Sequence, residues 1–412
     1  MTTMTLEDSL NRVEACRDQM VEHMIDMIRV PAIGPLNGGD GEVQRADLVQ
    51  TFLQGFDVVQ RMDVADHHHP EVMRPNILAV KKGGGDSTVW IVSHLDTVLP
   101  GDLSAWDSPP FEPELRDGKI FGLGTEDNGQ AVIASICAAH CVDLAPSSRR
   151  SIGLAIVADE ETTSAMGIEH LIKSGAFGPQ DVFIVPDWGM PDGSAIEVAE
   201  KHLVWLGITV EGKQAHGSTP EKGMNAVRIG SRLMMDILDA LEQRYPDQDP
   251  LFRPSASTFE PTKRMATVGN INTIPGRDEF YLDIRLLPRY DPEDLVAFVR
   301  SQVQQRAEET GAEISMNVEQ RTVSGRPSIT HGEAFKALSE SVQETLGVDP
   351  VAVGVGGGTC ANFFRLAGWD AYVWQKGDNV VHQPNEYCRV ENLISDAKVF
   401  ATFFHKMTQP RD

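Results

Sequence analysis

The residues of this chain that could do chemistry stand at the ends of apolar runs. Val89-Trp90-Ile91-Val92-Ser93 leads into His94-Leu95-Asp96. In a strand, residues i and i+2 share a face, so His94 and Asp96 point one way while Leu95 turns back into the core. A ring nitrogen can bind a metal while a carboxylate holds the ring in place. Alone, the pair is better explained by a strand end with two ordinary polar residues, but the pattern recurs. Ile156-Val157-Ala158 leads to Asp159-Glu160-Glu161, Ile184-Val185-Pro186 leads to Asp187, and Val373-Trp374 leads through a loop to His382. Gly122-Leu123-Gly124-Thr125-Glu126-Asp127-Asn128-Gly129 is a glycine-rich turn that carries Asp127 into a helix. Its glycines permit close backbone approach or positive φ.

Two histidines and several carboxylates are a suitable ligand set for zinc, cobalt or manganese. No cysteine stands among them, which argues against a structural zinc site. Two ions about 3.5–4 Å apart can share one bridging carboxylate. Asp127 can bridge, with His94 and Asp187 on one ion and Glu161 and His382 on the other, although spacing alone does not fix that allotment. Glu160 is then free to act as a general base toward an activated water.

The elements that must position these groups alternate. About residues 1–200 read as helices interleaved with continuous apolar strands, at Asn76–Val80, Val89–Ser93, Ser151–Ala158 and Val182–Val185. The long helices are Leu10–Val30 and Asn128–Ala145. This is an α/β layer with a mostly parallel sheet, whose ligands gather outside the carboxyl ends of the strands. From Lys201 the order becomes β-α-β-β-α-β, closing with a strand at Ile314–Val318, which is the ferredoxin-like α+β pattern. The α/β texture returns after Gly325 and ends in a helix at Glu391–Met407. The expected organisation is a catalytic domain of residues 1–200 and 319–412, interrupted by an inserted lid or dimerisation domain at 201–318.

The motifs Ser93-His94-Leu95-Asp96, Gly124-Thr125-Glu126-Asp127-Asn128-Gly129, Asp159-Glu160-Glu161, Pro186-Asp187 and His382 resemble, in order and over nearly the whole chain, those of the M20 metallopeptidase family. That family includes acetylornithine deacetylase, succinyl-diaminopimelate desuccinylase, aminoacylase and glutamate carboxypeptidase relatives. The resemblance implies His94, Asp127, Glu161, Asp187 and His382 as ligands of two divalent ions, zinc first, with cobalt or manganese as alternatives. It implies Asp127 as the bridge, Asp96 as the residue that orients His94, and Glu160 as the base. It also implies a homodimer formed through the inserted domain. His216, in Gly212-Lys213-Gln214-Ala215-His216-Gly217, would reach the partner's site and polarise the scissile carbonyl; the plain alternative is a turn histidine before a helix. The family's substrate side is resembled by Asn270-Ile271-Asn272-Thr273, Asp283-Ile284-Arg285 and Gly356-Gly357-Gly358-Thr359. Asn272, Arg285, Gly358 and Thr359 are therefore expected at the substrate, Arg285 clamping a carboxylate with its planar fork. For Arg285 a salt bridge to Asp283 is the competing expectation.

Asn128-Gly129 and Cys360-Ala361-Asn362 depart from the desuccinylase and deacetylase pattern, so the substrate is expected no more closely than an N-acyl amino acid or small peptide. A non-catalytic metal- or ligand-binding relative is the second reading, and loss of Glu160, His216 or a ligand would favour it. A nucleotide site at Gly356 is disfavoured because the loop lacks the Gly-Lys-Ser/Thr ending of a phosphate loop.

The chain has 412 residues and a formal net charge of −24, with 60 acids against 36 Lys and Arg, which argues against nucleic acid and anionic membranes as partners. The five cysteines include no Cys-x-x-Cys pair. Cys137 and Cys141, four apart on a helix, read as small buried hydrophobes. Met1–Val30 lacks the basic start and apolar core of a signal peptide, and no run approaches a membrane span, so a cytoplasmic location is expected. His67-His68-His69 reads as an exposed loop.

Overall fold

The computed structural model describes residues 5–410. The chain divides into two compact units, 1–198 with 327–352 and 359–412, and 199–326 with 353–358. The insertion thus closes later than the expected 318, because its last strand runs on to Thr322 past an irregularity between Val318 and Gln320. It also takes back Val353–Gly358, so the glycine loop belongs to the insertion and Thr359 to the first unit.

The first unit is built on an eight-stranded mixed sheet. Its centre is parallel, with Arg150–Val157 beside Ser87–His94, then Val182–Val185, then Ala371–Val373. These strands are buried along almost their whole length, as continuous apolar runs require when both faces are covered. Antiparallel strands flank them: Val58–Ala65 pairs with Met73–Lys81, and that strand with Arg150–Val157. Helices Gln130–Cys141 and Val390–Thr408 pack on each other and against the sheet. Aromatic side chains Phe177, Phe183, Phe364 and Trp90 fill the core with edge-on and stacked contacts. The expected N-terminal helix is two helices, Leu6–Ala15 and Arg17–Ile28, broken at Cys16; of the expected Met1–Val30 stretch, residues 1–4 lie outside the described residues.

The second unit is a four-stranded antiparallel sheet in the order Thr258–Arg264, Arg277–Leu286, His202–Glu211, Glu313–Thr322. Helices Ala226–Arg244 and Pro292–Thr310 cover one face. Strand Arg277–Leu286 alternates strictly, burying Phe280, Leu282, Ile284 and Leu286 against those helices. Both helices are capped by an Asx side chain, Asn225 accepting from Arg228 N–H and Asp291 from Glu293 N–H. A separate two-stranded ribbon pairs Ala215–His216 with Thr273–Ile274. No helix among the described residues is long and apolar enough to cross a membrane.

Candidate metal centre

Five segments of the first unit bring their polar groups together. His94 is the last residue of its strand and is buried, and the parallel register sets it level with Val157 on the next strand. That register delivers Asp159-Glu160-Glu161 alongside Asp96. Asp127 lies in the irregular turn Thr125–Gly129, where it leaves helical geometry (φ −116°, ψ 94°) and is followed by a cis peptide bond to Asn128. Asp187 follows strand Val182–Val185. His382 stands in the loop after Ala371–Val373, at φ 58°.

The donors form two groups that share one residue. His94, Asp127 and Asp187 each offer an atom within 4.8 Å of the others, and so do Asp127, Glu161 and His382. His94 Nε2 is 2.8 Å from Asp127 Oδ1 and 3.3 Å from Asp187 Oδ1. His382 Nε2 is 3.1 Å from Asp127 Oδ2 and 3.2 Å from Glu161. Asp127 therefore turns one oxygen to each histidine. Glu160 belongs to neither group.

Charge in this cluster is unbalanced. Burial, and next the Asp187 carboxylate, push the Glu160 carboxyl well above its ordinary range. Burial and Asp127 raise Glu161 to about 7. Hydrogen bonds to Asp127 and Glu161 raise His382 to about 11. Burial alone would pull His94 down, yet Asp187, Asp127 and Asp96 outweigh it and hold the ring well above its ordinary value. Such crowding of oxygen and imidazole donors is what divalent cations compensate, so the side chains fit two such ions.

Around the donors stands a second set of residues. Asp96 accepts Glu160 N–H at 3.1 Å and Glu161 N–H at 3.0 Å, one on each oxygen, and lies 3.5 Å from His94 Nδ1. Asn128 donates to Asp187 Oδ1 and accepts from His94 N–H. Glu386 accepts from the backbone of Gly124, Glu126 and Asp127 and thereby shapes the bridging turn. Below the Glu160 turn, Arg74 forms a fully buried ion network with Glu42, Asp66 and Asp159. Sequence reasoning assigned no role to Asn128, Glu386, Arg74 or Glu42. The buried charge of Arg74 within a strand was the one available signal, since such a charge needs partners.

The remaining expected residues have other neighbours. His216, Asn272, Arg285 and Gly358 belong to the second unit. His216 is exposed, its Nδ1 2.8 Å from Ser218 Oγ, and the Asn272 carbonyl accepts Gly217 N–H at 2.7 Å, so these two loops are joined. Arg285 makes the competing salt bridge, with Nε and Nη2 on Asp283, while Nη1 donates to the Gly356 carbonyl at 2.6 Å. These contacts meet the salt-bridge expectation and tie Arg285 to the glycine loop. Gly358 is exposed; Thr359 is buried and caps helix Cys360–Leu366 by accepting Ala361 N–H. His67 and His68 are exposed, with their loop tied by Asp66 accepting His68 and His69 N–H.

A paired-donor centre at the strand ends of an α/β unit is an arrangement that suits metal-assisted hydrolysis. Residues 90–406 match the family model of Peptidase family M20/M25/M40, and the chain belongs to that family. It is 34% identical over 409 residues to an uncharacterized metallohydrolase of Methanococcus maripaludis, covering 93% of this chain and 98% of that one. It is 28% identical over 400 residues to the succinyl-diaminopimelate desuccinylase of Gluconacetobacter diazotrophicus, covering 93% and 95%. The fold matches that of the di-peptidase Dug1p of Saccharomyces cerevisiae with a TM-score of 0.77, at 15% identity and 99% coverage of both chains.

Proposed function

We propose that the protein is a two-metal amidohydrolase that cleaves the amide bond of an N-acyl amino acid or a small peptide. The observation that carries this reading is Asp127, whose two oxygens face His94 and His382 separately. His94 and Asp187 would hold one divalent ion and Glu161 and His382 the other, with zinc the first choice and cobalt or manganese suited to the same donors. Bound there, the ions would acidify a water and polarise the scissile carbonyl.

The protein's own residues do the rest. Glu160 takes a proton from the attacking water and returns it to the leaving amine; a carboxyl with a raised pKa is suited to both steps. Asp96 fixes the backbone that presents Glu160. His216 supplies a donor to the oxyanion of the partner subunit's substrate, in a homodimer formed through the insertion. Asn272, Arg285 and the Gly358–Thr359 loop border the substrate, Arg285 also holding that loop through Gly356. The likeness to a desuccinylase in sequence and to a dipeptidase in fold supports this substrate class. The free cysteines, five among the described residues, fit a reducing, cytoplasmic setting. A binding-only relative is disfavoured because Glu160, His216 and every donor are present.

The test is a panel of N-acyl amino acids and dipeptides, assayed on protein stripped of metal and resupplied with Zn2+, Co2+ or Mn2+. Turnover should vanish on stripping and return with the ion, and Glu160→Ala should abolish it while keeping the ions. Metal-independent turnover, or full activity in Glu160→Ala, would refute the mechanism.

A further inference from the structure

Helix Gln130–Cys141 carries Asp127's turn at one end and a second cluster at the other. Cys137 and Cys141 lie four apart on one helical face, their sulfurs 4.0 Å from each other. Cys16 joins them from the break between the first two helices, and the three sulfurs all lie within 4.8 Å of one another. At about 1.5 Å per residue, Cys137 and Cys141 are about 10 and 17 Å along the axis from Gln130, so this cluster is separate from the carboxylate–imidazole centre.

We propose that Cys16, Cys137 and Cys141 form a binding site for one soft, thiophilic cation, of which copper(I) is the best match. Small buried hydrophobes would explain a helical pair, but not a third thiol brought to the same point from another element. Thiolates select soft ions. The group has three donors, one short of the tetrahedral set that structural zinc takes, and a three-coordinate copper(I) shell needs no fourth.

Access and charge agree with this. A cavity of about 300 Å³ is lined by Cys16 and Cys137 together with Met20, His23, Phe52 and His140. Of the three, Cys16 is half-buried, whereas Cys137 and Cys141 are buried. Three thiolates on one monovalent cation leave net negative charge, and cations stand by. Lys81 donates to the carbonyls of Ala139 and Val142, which flank Cys141. Arg12 is the second cation near Cys141. A bound ion would tie the helix break to helix Gln130–Cys141, so it would stabilise the fold.

The test uses the full-length, reduced protein with zinc resupplied to the hydrolytic centre, titrated without oxygen against copper(I) held by bicinchoninate. One equivalent per chain should leave the chelator, X-ray absorption should show a sulfur-only shell, and Tm should rise. Cys16→Ser and Cys141→Ser should each weaken uptake about tenfold or more. Cys388→Ala should leave it unchanged. Cys16→Ser sits at a half-buried helix break and decides the matter even if Cys141→Ser fails to fold. No withdrawal of copper from the chelator, a nitrogen- and oxygen-rich shell, or uptake by folded Cys16→Ser equal to that of the unmodified protein would each overturn the proposal.

Discussion

Replacing Asp96 with Asn keeps the shape of a buried side chain and removes one acceptor. In the native site each carboxylate oxygen accepts a peptide N–H, from Glu160 at 3.1 Å and from Glu161 at 3.0 Å. In Asp96→Asn one of these N–H groups faces an NH2 donor, and the other keeps only a neutral acceptor. A hydrogen bond to a charged group contributes about 1.5–3 kcal/mol and a neutral one about 0.5–1.5 kcal/mol, so losing the first and weakening the second costs about 2–4 kcal/mol. At about 1.4 kcal/mol per factor of ten, kcat should fall about thirty- to a thousandfold if the displacement is borne by Glu160. Metal content should be largely kept. Asp96 touches no ion in the proposed arrangement, and His94 Nδ1 also has the Asp96 backbone carbonyl at 3.1 Å to hold its ring. The measurements are kcat and KM on a substrate from the panel, metal by mass spectrometry, and Tm. A kcat within about twofold of the native enzyme would refute this reasoning, as would full turnover restored by excess metal alone.

Three further outcomes are expected. Glu160→Ala and His216→Ala should each be nearly inactive, and mixing them under subunit exchange should restore one working site per heterodimer; no recovery would count against a site shared between subunits. Arg74→Met leaves Glu42, Asp66 and Asp159 buried without their cation, so it should destabilise the protein by about 3–5 kcal/mol in a denaturant titration, and a loss below about 1 kcal/mol would show the network to be dispensable. Asp127 and Glu161 keep His382 protonated to about pH 11 in the ion-free protein, whereas a ligating imidazole must be neutral. Ion uptake should therefore expel protons and tighten about tenfold per pH unit for each proton displaced, as read by calorimetry in buffers of different ionisation enthalpy; an affinity flat with pH would exclude such competition.

His94, Glu161 and Asp187 were legible as candidate donors because they stand at or just after apolar runs, and such runs are readable wherever a strand is buried on both faces. Ser87–His94 and Arg150–Val157 are of this kind. Ala195–Glu200 is equally buried but was missed, because Glu197 stands in its middle. That acid is paired with Arg365, 2.7 Å away and brought from a distant helix. Val58–Ala65 escaped because it is a partly exposed strand that reads as mixed polar sequence. The break at Cys16 was hidden by helical spacing that continues through it. Glu386 and Asn128 act on backbone groups or side chains delivered by folding, so nothing local marks them. For Arg285 the pairing with Asp283, two residues away on the same strand face, was legible from the strand period.

The supports of Glu160 explain how the proposed base and the proposed ligand Glu161 could be separated in function though they are adjacent in sequence. Glu160 and Glu161 sit in a turn whose first residue, Asp159, has a positive φ of 65°. A non-glycine residue holds that conformation only when its surroundings enforce it. Here the Asp159 carboxylate accepts from the hydroxyls of Thr162 and Thr163 and from Met166 N–H, and Arg74 anchors it from below. Asp96 holds the next two peptide groups. None of these contacts involves a donor atom assigned to an ion. The turn is therefore set by the fold before any cation arrives, and Glu161 can be given to a metal without moving Glu160. Asp127 and Asp187 are steadied differently, through Glu386 and Asn128, on separate segments. Damage to Asp96 or Arg74 should accordingly be felt first in turnover and stability, and damage to Glu386 or Asn128 first in ion binding.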